Sequence, residues 1–173
     1  SGTVVAGMLN NCAGGRTLWG TVLTAEENFH QYFGNSDALP DGPQKTMNKR
    51  YGVPGKTSER QWERVHPRFD AAVDPKEVNR FGYMVEIDPY DKKAAIKKRT
   101  ALGRFAHESA AFGKVVEGKP LAVYMGDDSR GEYIYKFVST ATWRDRDADR
   151  RDSIAVGDKY LDHGRLSVAR FNA

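Results

Sequence analysis

With 173 residues, 39% of them hydrophobic and 11% aromatic, the chain is long enough for one ordinary domain with a real core and too aromatic for a disordered segment. A mean hydropathy of −0.66, with no apolar run approaching the ~18 residues of a membrane span, excludes a helical membrane protein. The 27 basic and 23 acidic side chains leave a net charge of +4, but the densest stretches, Lys92–Arg99 and Arg144–Arg151, read as solvated turns. Aromatics are not interleaved with them as nucleic-acid binding needs.

Strand signals dominate the chain. In order they are Thr3–Leu9, Trp19–Thr24, Tyr83–Ile87, Leu121–Met125, Glu132–Ser139 and Leu166–Phe171. Alternation is clearest in "EYIYKFVS", which puts Tyr133, Tyr135 and Phe137 on one face and Ile134, Lys136 and Val138 on the other. Gly14-Gly15, Asp41-Gly42-Pro43, Asp88-Pro89, Gly126-Asp127-Asp128 and Asp162-His163-Gly164 read as turns between them. Helical patterns are few: Ser58–Val65, Pro75–Asn79 and a turn around Lys93–Thr100. Residues 34–80 are polar, rich in Pro and Gly and poor in β-branched side chains, which predicts a long insertion carrying a short helix. Many short strands with frequent turns predict an all-β sandwich, barrel or propeller and not a βαβ fold.

Acids at strand ends are the recurring chemical theme. "LTAEEN" and "VYMGDD" share a loose plan in which an apolar strand ends in paired carboxylates, as successive propeller blades would present them to one place. Hard cations such as calcium take six to eight oxygen ligands from several loops, and Glu26, Glu27, Asn28, Glu108, Asp127 and Asp128 are suitable donors. Each acid taken singly also reads as a solvated strand end, and the Asp127-Asp128 turn serves an exposed hairpin equally well. In "RFAHESAAFG" the His107-Glu108 pair, set between an aromatic and a run of small residues, is expected where space and solvent are scarce. The lone cysteine, Cys12, excludes an internal disulfide and a CxxC zinc cluster. By pattern alone it reads as a buried, inert thiol, although the glycines beside it permit close backbone approach. No P-loop, GxSxG elbow, HExxH or EF-hand loop occurs, and the four histidines are scattered.

Five stretches taken together, "LNNCAGGRTLWGTVLTAEEN", "RFGYMVEIDPYD", "KKRTALGRFAHESA", "VYMGDDSRGEYIYKFVS" and "LDHGRLSVARFNA", resemble in this order the PhoX-type bacterial alkaline phosphatases. The likeness runs from about residue 3 to the end and is weakest over 34–80. It implies a β-propeller that hydrolyses small-molecule phosphate monoesters with a multinuclear cluster of ferric iron (Fe3+) and calcium (Ca2+), in the periplasm or secreted. Carried over motif by motif, it implies Cys12 as thiolate ligand of iron and Glu108 as an iron-binding carboxylate. It further implies Glu27, in preference to Glu26, and Asp127, in preference to Asp128, as ligands of calcium or bridges between metals. Thiolate suits iron and not calcium. Ala25 departs from the pattern, since the resemblance calls for cysteine there, a change expected to touch packing more than activity. Arg16 and Arg130 are considered as phosphate contacts by charge only and neither is assigned that role, so substrate-binding and further catalytic residues stay unassigned. No nucleic-acid, membrane or protein partner is implied, and a monomer is expected.

Length sets the remaining expectation. At about 40–45 residues per blade, the chain supplies roughly three or four blades, fewer once the insertion is set aside. A single partial propeller domain over 1–173, with its insertion at about 34–80, is therefore expected, as an excised portion of a longer chain that carries only part of the site. A non-catalytic calcium-binding propeller scaffold and a propeller hydrolase of another class, such as a lactonase, are the competing readings.

Overall fold

In the computed structural model, which describes residues 3–149 and 151–171, the chain separates into two units. One comprises Asn28–Gly82 with the segment ending at Asn10, and encloses the polar stretch 34–80. It contains helix α1 (Pro43–Arg50), which opens on proline, and 3-10 turns at Phe29–Tyr32, Ser36–Ala38, Trp62–Arg64, Pro67–Phe69 and Glu77–Arg80. Leu9, Phe29, Phe33, Val53, Phe69, Val78 and Phe81 form its core. Phe33 sits 5.4 Å from Phe69 and 5.6 Å from Phe81, ring centre to ring centre, so aromatic packing replaces the regular pairing that Pro and Gly interrupt.

The strand expected at Thr3–Leu9 does not form. Its carbonyls are taken by side chains instead: Arg80 Nη1 donates to the Val4 oxygen at 2.7 Å and Arg68 Nη2 to the Ala6 oxygen at 3.0 Å. The helix expected at Ser58–Val65 shrinks to Trp62–Arg64, and that at Pro75–Asn79 becomes Glu77–Arg80.

The second unit, Asn11–Glu27 with the chain from Tyr83 onward, is built of two four-stranded antiparallel sheets. The first has β1 (Asn11–Arg16), β2 (Val22–Glu26), β3 (Met84–Ile87) and β4 (Lys97–Lys98) in that order. The second has β5 (Ala111–Phe112), β6 (Pro120–Gly126), β7 (Ile134–Thr142) and β8 (Gly164–Val168), again in chain order. Each is a four-stranded meander of the kind that makes a propeller blade, and the all-β class expected from the strand pattern is the one observed. Along β7 the alternation holds: Phe137 is fully buried while Ile134 stays half exposed.

Gly14 and Gly15, which read as a turn, lie inside β1. A Cβ on Gly14 would fall 1.8 Å from the Leu23 carbonyl oxygen, and one on Gly15 would fall 2.0 Å from that of Ala110. The pair is there for close backbone approach.

Helix α2 (Ser153–Leu161) and the strand at Lys97–Lys98 were not legible in the pattern, where only a helical turn around Lys93–Thr100 was expected. The reason for α2 is Gly157, which interrupts a nine-residue helix and costs it about 1 kcal/mol of propensity. Its place is set by tertiary contact: a Cβ there would lie 2.2 Å from Glu86 Oε2 and 2.3 Å from Arg99 Nη2. These two make a buried ion pair at 2.6 Å. Trp19 Nε1 donates to Glu86 at 2.8 Å, while Arg99 reaches Asp158 at 2.7 Å, Asp162 at 2.9 Å and the Ile154 carbonyl at 3.0 Å. Burial works against the Arg99 charge, but Glu86, Asp158 and Asp162 outweigh it and raise its pKa. Around this network Trp19, Trp143 and Tyr160 stack with Leu23, Met84, Val123 and Phe137 in one core.

Candidate metal centre

Three chain segments of the second unit end side by side. The first is the end of β2, where Glu26 closes the strand and Glu27 follows. The second is the turn after β6, where Asp127 and Asp128 follow Gly126. The third is the irregular stretch from Gly103 to Glu108, entered from a 3-10 turn at Thr100–Leu102. The backbone joins them: the His107 N–H donates to the Glu26 carbonyl at 3.1 Å, the Asp128 N–H donates to the Ala106 carbonyl at 3.1 Å, and His107 and Asp127 form an antiparallel bridge. Glu26, His107 and Asp127 are the tied residues, and Glu27, Glu108 and Asp128 are the residues that follow each of them.

Extended backbone sends successive side chains to opposite sides. The three followers accordingly converge: one carboxylate oxygen from each of Glu27, Glu108 and Asp128 lies within 4.8 Å of the other two. Glu27 is half-buried and the other two are exposed. Three like charges this close repel by about 1 kcal/mol per pair even at the dielectric of water, a cost that a bound cation reverses. An all-oxygen, all-anionic donor set fits a hard divalent ion, for which it supplies three of the six to eight oxygens.

The tied residues face the other way. Glu26 is fully buried, with Lys98 Nζ at 2.8 Å from Oε1 and the Tyr83 N–H donating to Oε2 at 3.1 Å. Asp127 is half-buried, and its Oδ1 accepts from the Ser129 N–H at 3.1 Å, closing the turn that leads to β7. Of the acids read from sequence, Glu27, Glu108 and Asp128 share the convergence point, while Glu26 and Asp127 stand outside that trio. Arg16 and Arg130 are exposed.

Two burial expectations need correction. Cys12 is exposed rather than buried, because β1 is the edge strand of its sheet and buries none of its residues; Cys12 also falls in the irregularity between Asn11 and Gly14. It is not one of the three converging groups. The His107-Glu108 pair is not uniformly enclosed: His107 is fully buried and Glu108 exposed, again by alternation. Ala25 faces the core beside Leu23 and Met84.

The sequence marked His107 only as half of an enclosed pair with Glu108 and gave it no role of its own. Its ring stacks on Phe105 at 3.6 Å, and Phe105 stacks on Tyr135 at 4.2 Å. Nε2 lies 3.1 Å from the Gly103 carbonyl oxygen. A carbonyl only accepts, so Nε2 carries the proton and Nδ1 is a bare lone pair, which has no hydrogen-bond partner among the described residues. Burial pushes the imidazole pKa down to about 4, with the Gly103 bond pulling weakly the other way, so the ring is neutral near pH 7.

Over residues 1–173 the chain matches the family model described as alkaline phosphatase PhoX. Among solved structures it is similar to that of Pseudomonas fluorescens PhoX in complex with vanadate, a transition state analogue, at 48% identity and a TM-score of 0.83. The match covers 98% of this chain and 28% of that one, so the chain spans little more than a quarter of the PhoX it resembles. The comparison with curated proteins finds no match.

Proposed function

Because the chain belongs to the PhoX family of alkaline phosphatases, we propose that the full-length protein hydrolyses phosphate monoesters, with Glu27, Glu108 and Asp128 as oxygen ligands of the cations that carry the reaction. The observation that supports this is the convergence of those three carboxylates within 4.8 Å, in a chain 48% identical to a PhoX captured with a transition state analogue. Small-molecule phosphate esters are the substrate class.

Calcium suits the trio by its oxygen-only donors. Cys12, exposed on β1 outside the trio, is the sulfur donor for ferric iron in this reading, since a thiolate in an otherwise oxygen-rich site selects the softer metal. When bound, clustered cations of this kind neutralise phosphoryl oxygens and lower the pKa of water. The chain's own contribution is to hold the ligands. Glu27, Glu108 and Asp128 are carried on backbone tied at Glu26, His107 and Asp127, and the Lys98 ammonium sits against Glu26 behind them. Family kinship supports a location in the periplasm or outside the cell, and no helix among the described residues is long and apolar enough to cross a membrane.

The test is phosphate release from p-nitrophenyl phosphate by the full-length protein, with bound metals measured by elemental analysis. Calcium and iron in the purified protein, with activity lost on chelation and in Glu108→Gln, are the expected results. Calcium without iron and without phosphate release would instead describe a scaffold, and hydrolysis of lactones but not phosphate esters a different propeller enzyme.

A further inference from the structure

The segment that delivers Glu108 has little to hold it. Between the 3-10 turn ending at Leu102 and the two-residue strand β5 it has no regular structure beyond the single bridge from His107 to Asp127. The rungs to Glu26 and Asp128 fix where the backbone lies. One bridge does not fix how an extended segment is rotated about its own axis, and that rotation decides whether Glu108 points at Glu27 and Asp128 or away from them. A side chain anchored on the opposite face would decide it, and His107 is the residue there.

We propose that His107 is a positioning residue, which aims Glu108 into the carboxylate trio by donating its Nε2–H to the Gly103 carbonyl while its ring is clamped on Phe105. The acceptor is preset. Gly103 has φ +94°, a conformation L side chains rarely adopt, and a Cβ there would lie 2.7 Å from Leu166 Cδ2 and 2.9 Å from the Phe105 ring. The clamp is preset as well, since Phe105 is held from behind by Tyr135 on β7. The Nε2 bond at 3.1 Å then closes a short loop from residue 103 to residue 107 and leaves the ring one orientation.

Packing alone does not account for a histidine at this position. Phenylalanine would stack on Phe105 equally well and would bury no polar atom, whereas His107 leaves Nδ1 enclosed with no partner among the described residues, which costs stability. What histidine adds to a phenyl ring is the N–H that reaches Gly103. Nor is it a ligand itself: Nε2 is committed to that carbonyl and neither ring nitrogen belongs to the group of converging donors. The carboxylate it positions is a ligand only under the function proposed above, so the inference rests on that reading.

The test uses the full-length protein and two variants. His107→Phe keeps the stack and removes the donor; His107→Gln keeps an N–H donor and removes the ring. Calcium titration of chelator-treated protein follows the binding event that Glu108→Gln abolishes, alongside thermal unfolding and the separate kcat and KM for p-nitrophenyl phosphate. Expected is a 10- to 100-fold weaker calcium affinity for His107→Phe, the size of effect usual for groups that orient metal ligands, at an unchanged or higher melting temperature. His107→Gln should recover most of that affinity despite melting earlier, and in both variants kcat should follow calcium occupancy while KM at saturating calcium stays within about twofold of wild type. Wild-type calcium affinity in His107→Phe, affinity that merely tracks melting temperature across the variants, or failure of both variants to fold would each overturn the proposal. Wild-type protein that binds calcium through Glu108 but releases no phosphate would refute the phosphatase reading alone, with the calcium titration still deciding the role of His107; protein with no Glu108-dependent calcium binding would refute both.

Discussion

Lys98 Nζ lies 2.8 Å from Glu26 Oε1, with Glu26 fully enclosed, while the adjacent Glu27 turns the other way and joins the carboxylate trio. Two neighbouring acids thus do different work. Replacing Lys98 by Met removes the cation from a buried carboxylate, and denaturant unfolding should show a loss of about 3 kcal/mol or more. Glu27→Gln should leave the unfolding midpoint within about 0.5 kcal/mol and instead weaken calcium binding. The reverse pattern would mean that Glu27 is structural and the trio is not a cation site.

The buried pair of Arg99 and Glu86 makes a second, sharper prediction about helix α2. Gly157→Ala would put a methyl group 2.2 Å from Glu86 Oε2, and neither partner can retreat without losing its bonds to Trp19, Asp158 or Asp162. Alanine favours an isolated helix by about 1 kcal/mol over glycine, yet here overpacking should reverse the sign and cost about 1–3 kcal/mol. Arg99→Met, which strands Glu86 inside, should cost about 3–5 kcal/mol. A stabilised Gly157→Ala protein in urea titration would show that α2 does not rest on the pair.

The same glycine shows where sequence reading stops. Period-two alternation marked β7 through Tyr135 and Phe137 because one face of that strand meets the core and the other meets water. The plan shared by "LTAEEN" and "VYMGDD" pointed to acids meeting at strand ends, and Glu27 and Asp128 do meet. Gly14-Gly15 and Gly157 were opaque for one reason: each is glycine because of atoms far along the chain, at Leu23, Ala110, Glu86 and Arg99. Choosing between Asp127 and Asp128, or foreseeing an exposed Cys12, needs the phase of a turn and the place of β1 at the edge of its sheet. Both depend on pairing partners that local pattern does not name. The role of His107 is hidden in the same way, since its meaning comes from Gly103 and Phe105 folded back against it.

Acid should destabilise the protein in two windows. Burial lowers the His30 pKa below 6.5, against a smaller opposing effect of Glu59. The unfolded chain therefore binds that proton first, and stability falls as pH drops below 6.5 towards the folded value. At Asp158, burial disfavours ionisation, but hydrogen bonds from Lys97 and Arg99 prevail and hold the carboxyl below 3.8. Its contribution is full above 3.8 and is lost as pH falls through the depressed folded value; exposure of the side chain keeps it to about 1 kcal/mol or less. Buried His107, whose pKa is pushed down to about 4, acts in the same upper window. Unfolding midpoints measured from pH 7 to pH 2 should therefore show that window reduced but not abolished in His30→Gln, and the lower one reduced in Asp158→Asn. An upper window that is undiminished in His30→Gln would remove His30 as a contributor.

Cys12 offers the most direct view of the iron reading. Its thiol is exposed, so in chelator-treated full-length protein it should alkylate at a rate typical of an accessible thiol, with no unfolding required. A thiolate bound to ferric iron loses its lone pair to the metal, and reloading with iron should slow alkylation at least tenfold, while reloading with calcium alone should not, because calcium prefers oxygen. A sulfur-to-iron charge-transfer band should appear with iron and vanish in Cys12→Ser. Equal labelling in the iron-loaded and metal-free states would take the thiol out of the site and leave the carboxylate trio as an oxygen-only centre.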